Sequence, residues 1–524
     1  MATQDISAET VTEERQPLRY SNFERSSTFR RWPQYIAVFF ATLGGATAGL
    51  VGGWTSNAAP ALRLRGLSEP SLAWVGALPA AGALLGALPA GLLAASLGRR
   101  RLLAAAAVPS AAAWLAVYFA IGDIDSLEGS LADSGMYSTK LWILLSGRVL
   151  LGVAMGVATV VAPLYSEESC DVAIRGRLGV AQNLQIDAGI LLAYTLGAAG
   201  ASLETQTLVP VAVPLVQLVA LLWIPESPAH LAAAPEAEAM RRAPKAARWL
   251  RLELDPLERR RREADARGGK ETPPLRVRCR ALLIVVGLMT LRQFLGINAF
   301  IYYTVDIFQQ AGSSLSPEMA TLVVGIVQLA ATALSGAVVE RAGRRPLLLA
   351  SGATAALSHA ALALSASPWA AGAAWLPLLA INVFFVAFAA GFGSLPWFIT
   401  AEVVPTPDAA WMSGLAVASN WLLIFTVTKV FPESVAKLGR QMTFALLGVL
   451  STVTTLFALL FVPETRGKPR DAIQRELLEE SVFVLPCCAR SRQRVKPTER
   501  AGAGAGEQQP LADYGASAAP PRYS

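Results

Sequence analysis

Gly91-Leu92-Leu93-Ala94-Ala95-Ser96-Leu97-Gly98-Arg99-Arg100 returns, 245 residues later, as Gly336-Ala337-Val338-Val339-Glu340-Arg341-Ala342-Gly343-Arg344-Arg345. Pro225-Glu226-Ser227 returns as Pro463-Glu464-Thr465, 238 residues on, and Glu168 has a counterpart in Glu402, 234 on. Three matches at nearly one offset mark a chain built from two parallel repeats. Each Gly-Arg-Arg joins one apolar block to the next. Its glycine permits a tight turn, and its arginines hold that turn at a water-facing surface.

The blocks around these turns decide the fold class. Of 524 residues, 53% are hydrophobic and 16% charged, with a mean hydropathy of +0.44; an ordinary soluble domain carries about 25% charged residues. The apolar residues form about twelve blocks of roughly 20 residues, the length of a helix crossing a ~30 Å hydrocarbon core. Candidate spans lie near 34–57, 71–95, 101–121, 140–164, 176–199, 206–224, 280–310, 317–339, 346–366, 375–400, 409–431 and 440–462. A single soluble core, a disordered scaffold and an outer-membrane barrel, whose strands alternate over ~10 residues, are excluded. The reading is an all-α membrane protein with twelve transmembrane helices in two six-helix pseudo-repeats. Its divisions are a tail at 1–31, a first bundle at 32–224, a helical loop at 225–279, a second bundle at 280–463 and a largely disordered tail at 464–524. Residues 1–31 hold no apolar leader segment, so the N-terminus is expected in the cytosol.

An even number of spans places both termini on one side, and the basic residues say which. Most of the 45 Lys and Arg fall in the tails and the loops after even-numbered spans. The opposite loops hold only Arg63, Arg65, Lys140, Lys429, Lys437 and Arg440. By the positive-inside rule the basic side is cytoplasmic. The net charge of +7 is therefore a topology signal, and the expected partners are the lipid bilayer and a small molecule, with no nucleic acid and no cofactor or metal. Cys170, Cys279, Cys487 and Cys488 all fall on the side where thiols stay reduced, so no disulfide is expected. Cys487-Cys488 is a palmitoylation candidate, with an unmodified tail as the simpler reading. In the middle loop, Arg241, Arg242, Lys245, Arg248 and Arg251 alternate with Ala246, Ala247, Trp249 and Leu250 at helical spacing, which predicts an amphipathic helix. Arg259–Arg262 reads as a solvated face, with anionic lipid contact as the alternative.

The repeated arginines invite carboxylate partners. Arg99, Arg100, Arg175, Arg341, Arg344 and Arg345 are expected to meet Glu168, Glu226, Glu340, Glu402 and Glu464, holding helix ends together as a cytoplasmic gate. The alternative is a set of independently snorkelling charges. No phosphate-binding Gly-x-x-x-x-Gly-Lys-Ser/Thr segment is present, which disfavours a pump. His230 and His359 have no recognisable nucleophile or metal cluster nearby, so an enzyme is disfavoured too.

A family resemblance covers about residues 34–470. Gly147-Arg148-x-x-x-Gly152, Pro163-x-Tyr165-x-x-Glu168, Arg175-Gly176, Pro225-Glu226-Ser227-Pro228, Gln293-x-x-Gly296-Ile297-Asn298-Ala299-x-x-Tyr302-Tyr303, Pro396-Trp397-x-x-x-x-Glu402, Ser419-Asn420-Trp421 and Pro463-Glu464-Thr465-x-Gly467-Lys468 stand in order. The chain resembles the sugar-porter family of the major facilitator superfamily. Phe300–Phe308, Ala247–Arg251 and Thr428–Phe431 look most like the arthropod facilitated trehalose transporters. The resemblance implies facilitative transport of trehalose or a hexose such as glucose by alternating access, through a site between the halves near the bilayer midplane. The expected address is the plasma membrane, with an internal membrane as the alternative, both termini in the cytosol by the charge distribution and the chain working as a monomer.

Sugar hydroxyls donate and accept, so amides are natural neutral partners, and a sugar's C–H face can lie on an aromatic ring. Polar residues among membrane helices are functional candidates by default. This chain offers Asn183, Gln293, Asn298, Gln328, Trp397 and Asn420. The resemblance places Gln293, Asn298, Trp397 and Asn420 where glucose facilitators contact sugar with the same residues, while Asn183 and Gln328 replace a Gln and an Asn. Gln293 and Asn298 lie about 140° apart on a regular helix, and Gly296 between them can loosen the backbone.

Four departures from the family pattern sharpen the reading. Arg292 stands where a glucose facilitator has Gln, and Asp187 lies one turn beyond Asn183. An Arg292–Asp187 interaction across the cavity is expected, with two independent charges as the alternative. Ala95-Ser96 and Ala409 lack family charges, which predicts a weak cytoplasmic lock. Thr55 stands where proton-coupled relatives have Asp, which favours uniport; Asp187 keeps a proton-coupled symporter open. A non-transporting membrane sugar sensor is the alternative from another class.

Overall fold

The computed structural model describes residues 31–122, 135–171, 174, 178–232, 236–252, 273–311, 315–367, 373–405, 408–468 and 470–479. Arg175, Arg259–Arg262, Cys487 and Cys488 lie outside the described residues, as does the side chain of Glu340.

The first half comprises α1 (Trp32–Leu64), α2 (Glu69–Leu97), α3 (Arg99–Gly122), α4 (Gly135–Glu168) and α5 (Ala181–Ala198), then α6 (Leu203–Leu208) and α7 (Ala212–Trp223) joined by a short 3-10 turn. Two surface helices follow, α8 (Pro228–Ala232) and α9 (Glu236–Leu250). The second half comprises α10 (Leu275–Phe294), α11 (Ile297–Ala311), α12 (Pro317–Ala342), α13 (Arg344–Ser365), α14 (Leu376–Ala390), α15 (Leu395–Val403) and α16 (Ala409–Phe461), with α17 (Arg470–Glu479) beneath it. Ten helical stretches are long and apolar enough to cross a membrane. The last of them spans 51 residues and is broken at Gly439 into two. The α5 helix falls short of that apolar standard because Gln182, Asn183, Gln185 and Asp187 crowd its first two turns, yet it packs along α1 inside the first bundle. Counted this way, the described residues make twelve spans, six in each half.

Several spans are broken where the sequence allows it. The expected seventh span is α10 and α11, split at Gly296 with φ +79. The tenth is α14 and α15, split around Gly391 and Gly393, with Pro396 opening the second piece. The expected gap between 431 and 440 is instead helical except at Gly439, whose φ of +77 is readily reached only by glycine. Within the tail expected to be largely disordered, α17 forms and buries Ile473 and Leu477 in the second-half core.

The two copies of the repeated turn have one backbone geometry. Gly98 and Gly343 end α2 and α12 with φ, ψ of 98, 154 and 91, 160. An L side chain rarely reaches that region, which explains why both copies keep glycine. Within the halves α2 packs on α4, α1 on α5, and α13 and α10 on α16; between them, α5 meets α12, α2 meets α16 and α1 meets α11.

Candidate functional site

A cavity of about 700 Å³ lies between the halves and is lined by all eight residues singled out from the sequence: Asn183, Asp187, Arg292, Gln293, Asn298, Gln328, Trp397 and Asn420. The break at Gly296 brings the second-half amides together. Asn298 Nδ2 donates to Gln293 Oε1 at 2.6 Å, and Gln293 Nε2 donates to Asn420 Oδ1 at 2.6 Å. Three helices thus contribute one continuous amide chain. On the first-half wall, Asn183 Nδ2 reaches Ser394 Oγ at 3.5 Å, and Asp187 Oδ1 accepts from Gln328 Nε2 at 2.7 Å. Trp397, half-buried on α15, offers its ring to the same space.

The expected Arg292–Asp187 pair does not form in this conformation. Arg292 instead lies 5.7 Å from the Phe388 ring centre and 5.8 Å from that of Trp397, with Nη1 3.4 Å from Asn420 Oδ1. Aromatic faces attract a guanidinium without removing its charge, and the side chains of Gln328 and Thr332 are the partners within reach of Asp187. Sequence inspection missed Gln182, which lines the same wall with both amide atoms buried and no protein partner. Its adjacency to Asn183 was the available signal. It missed Ser394 as well, the hydroxyl that Asn183 meets.

The cavity lining runs to Ser166, Glu167 and Ala401, at the end carrying the Gly-Arg-Arg turns. At the other end the halves are tied together. Arg63 Nη1 bonds Asp306 at 3.2 Å and its Nε bonds Glu69 at 2.6 Å. Val305 N–H donates to Ser56 Oγ at 3.1 Å, Tyr194 Oη donates to Ile301 O at 2.9 Å, and Lys429 Nζ sits 4.7 Å from the Trp74 ring centre. The structure is therefore open at the basic end and closed at the opposite one.

Among the described residues, two of the ion pairs expected at the basic end form, and each lies within one half. Arg99 pairs with Glu168 at 2.8 Å within the first half, and Arg344 with Glu402 at 3.1 Å within the second. Glu226 accepts the backbone N–H of Arg100 at 2.9 Å, and Glu464 those of Arg344 at 3.0 Å and Arg345 at 3.1 Å. These two carboxylates serve helix N-termini rather than guanidinium groups, because the first amides of α3 and α13 lack partners within their own helices. The Arg100 and Arg345 side chains donate to Ile224 O and Leu459 O instead, while Arg341 is exposed and its carbonyl accepts from Arg466. The first-half cluster also includes Ser227, which donates to Glu168, and His230, whose Nδ1 lies 2.8 Å from Arg99 Nη1.

Arg148 is fully buried on α4. It donates to Val75 O at 3.0 Å, Val51 O at 3.2 Å and Thr55 Oγ1 at 2.5 Å, with the Trp54 ring centre 4.9 Å away. One guanidinium thus joins α1, α2 and α4, and its acceptors are all uncharged.

Residues 20–477 match the model of the sugar (and other) transporter family. The facilitated trehalose transporter Tret1 of Drosophila yakuba is 31% identical over 472 residues, covering 85% of this chain and 52% of that protein. The chain thus spans about half the length of several relatives it matches. The Tret1-2 homologue of Drosophila sechellia is 30% identical over 85% of this chain and 91% of its own length. Among solved structures, the inward-open xylose transporter XylE of E. coli aligns with a TM-score of 0.70 at 22% identity, over 84% of this chain and 99% of that one. A further XylE structure, described as a major facilitator superfamily symporter, aligns with a TM-score of 0.68, so the fold is the major facilitator fold. With the family model spanning both bundles, the chain belongs to the sugar (and other) transporter family.

Proposed function

We propose that this protein carries a neutral sugar, trehalose or a hexose such as glucose, across a membrane by alternating access. The observation that carries the reading is the cavity itself: a chain of amides and an indole ring between two halves, open at one end and tied at the other. Amides meet hydroxyls of either polarity, and about 700 Å³ lies within the ~300–1,000 Å³ of small-molecule pockets. The trehalose transporters among the relatives support the disaccharide. The positive-inside rule makes the open end cytoplasmic, with both termini cytosolic, and we assign the protein to the plasma membrane as a monomer.

The flux is passive in this reading, because Arg148 finds a hydroxyl on Thr55 where a coupled carrier would need a titrating carboxylate. Uptake of labelled trehalose and glucose into proteoliposomes tests it. Saturable uptake of at least one sugar is expected, falling at least about fivefold in Trp397→Ala and Gln293→Ala, each removing about 1–3 kcal/mol of contact. Undiminished uptake in both variants would move the site elsewhere. One observation favours a second reading, proton coupling: Asp187 places a carboxyl on the cavity wall. A sugar-evoked proton current, abolished in Asp187→Asn, would establish that reading instead.

A further inference from the structure

The surface helix α9 is docked on the bundle by one face. Ala243, Ala246, Ala247 and Leu250 are buried, and Gln34 Nε2 on α1 donates to Leu250 O at 3.0 Å. The exposed face carries Arg241, Lys245 and Arg248, which stand above one another at i, i+4 and i+7. None of the three has an ion-pair partner among the described residues. At the end of this row, Trp249 forms the lip of an apolar groove of about 530 Å³ between α1 and α7, walled by Ile36, Phe40, Val216, Val219 and Trp223.

We propose that the groove and the basic row together bind one anionic glycerophospholipid from the leaflet at the basic end. Its acyl chain lies in the groove and its phosphate meets Lys245 and Arg248. The dimensions fit a lipid tail. From Leu215 to Ile224 the wall rises ~13 Å at ~1.5 Å per residue, close to one leaflet of a ~30 Å core. The depth fits as well, because Trp32, Trp223 and Trp249, exposed by 62%, 81% and 40%, sit together at this end as membrane-interface tryptophans do. The row of unpaired cations selects the headgroup charge. Gln34 also accepts the N–H of Asp171 beyond α4 at 3.0 Å, so a lipid holding α9 down also braces the joint between α1 and α4.

The test is direct lipid binding, which requires no transport. The full chain in detergent micelles is titrated with phosphatidylglycerol or phosphatidylcholine, and retained lipid is read by native mass spectrometry. Preferential retention of phosphatidylglycerol is expected. Arg241→Gln/Lys245→Gln/Arg248→Gln should weaken it roughly a hundredfold, at about fivefold per cation, and leave phosphatidylcholine unchanged. Val219→Trp, which fills the groove, should also release the lipid. Lys245→Gln alone, on a solvent-facing site, should cost about fivefold and serves if the triple variant fails to fold. Equal retention of the two lipids by the unaltered chain, undiminished phosphatidylglycerol in the variants, or equal competition by glycerol 3-phosphate would overturn the proposal.

Discussion

Asn420 is where the polar wiring of the cavity converges. Its Oδ1 takes the short bond from Gln293 and the longer one from Arg292, so Asn420→Leu strands two donors at once. The sugar KM is expected to rise at least about fivefold in proteoliposome uptake, from about 1 kcal/mol per lost bond. The amide residues were legible because polar side chains inside apolar spans stand out from their surroundings. Their partners were not, since Asn298 reaches Gln293 only across a break whose left-handed glycine redirects the helix. The Arg292–Asp187 pairing failed for a related reason: opposite charges in one cavity suggest attraction, but sequence carries no measure of the competing rings of Phe388 and Trp397. A second residue-scale expectation concerns Asp408, buried beside Arg278 at 2.7 Å. The guanidinium holds this carboxyl below its usual value near 3.8. Its contribution to stability is therefore complete at any pH above that value and fades as the pH falls through the lowered one. Asp408→Asn should lower the Tm equally at pH 5 and pH 8; a deficit growing with pH over that range would contradict the pairing.

Helix ends and breaks carry the next level of organisation. The two Gly-Arg-Arg turns were readable as a repeat because glycine and arginine recur at fixed spacing, and the fold class followed. What Glu226 and Glu464 touch was not readable, since a carboxylate near arginines predicts a side-chain pair, whereas the free amides of a following helix compete for the same oxygens. Glu464→Gln is expected to cost about 0.3–2 kcal/mol at the start of α13, measured as earlier unfolding in a detergent melt. Gly296→Ala tests the break in the seventh span. A Cβ there would lie 3.2 Å from Leu447 Cδ1 and 3.4 Å from His359 Nε2, with left-handed strain of about 1–2 kcal/mol added. Uptake should fall severalfold while the bundle remains folded. Unchanged uptake would mean that the Gln293–Asn298 geometry is immaterial.

For the whole molecule, the decisive asymmetry is between its two ends. Cysteines introduced as Glu167→Cys and Ala401→Cys, at exposed positions of the cavity lining, should react within minutes, without sugar, with a membrane-impermeant thiol reagent supplied at the basic end. Ser56→Cys, packed under Val305, should stay protected. The reverse pattern would show that the open end is misassigned. The sequence carried the two-half plan but not the conformation, because every tie between halves joins residues more than a hundred positions apart. Arg63, 40% exposed and bonded to both Glu69 and Asp306, sets one further consequence. Among the described residues, the ion pairs of the basic end stay within one half or the other. At the opposite end Arg63 can be screened, with a Debye length that falls from about 10 Å at 0.1 M to about 3 Å at 1 M. The balance between the two openings should thus respond to ionic strength on the face of the membrane where Arg63 lies.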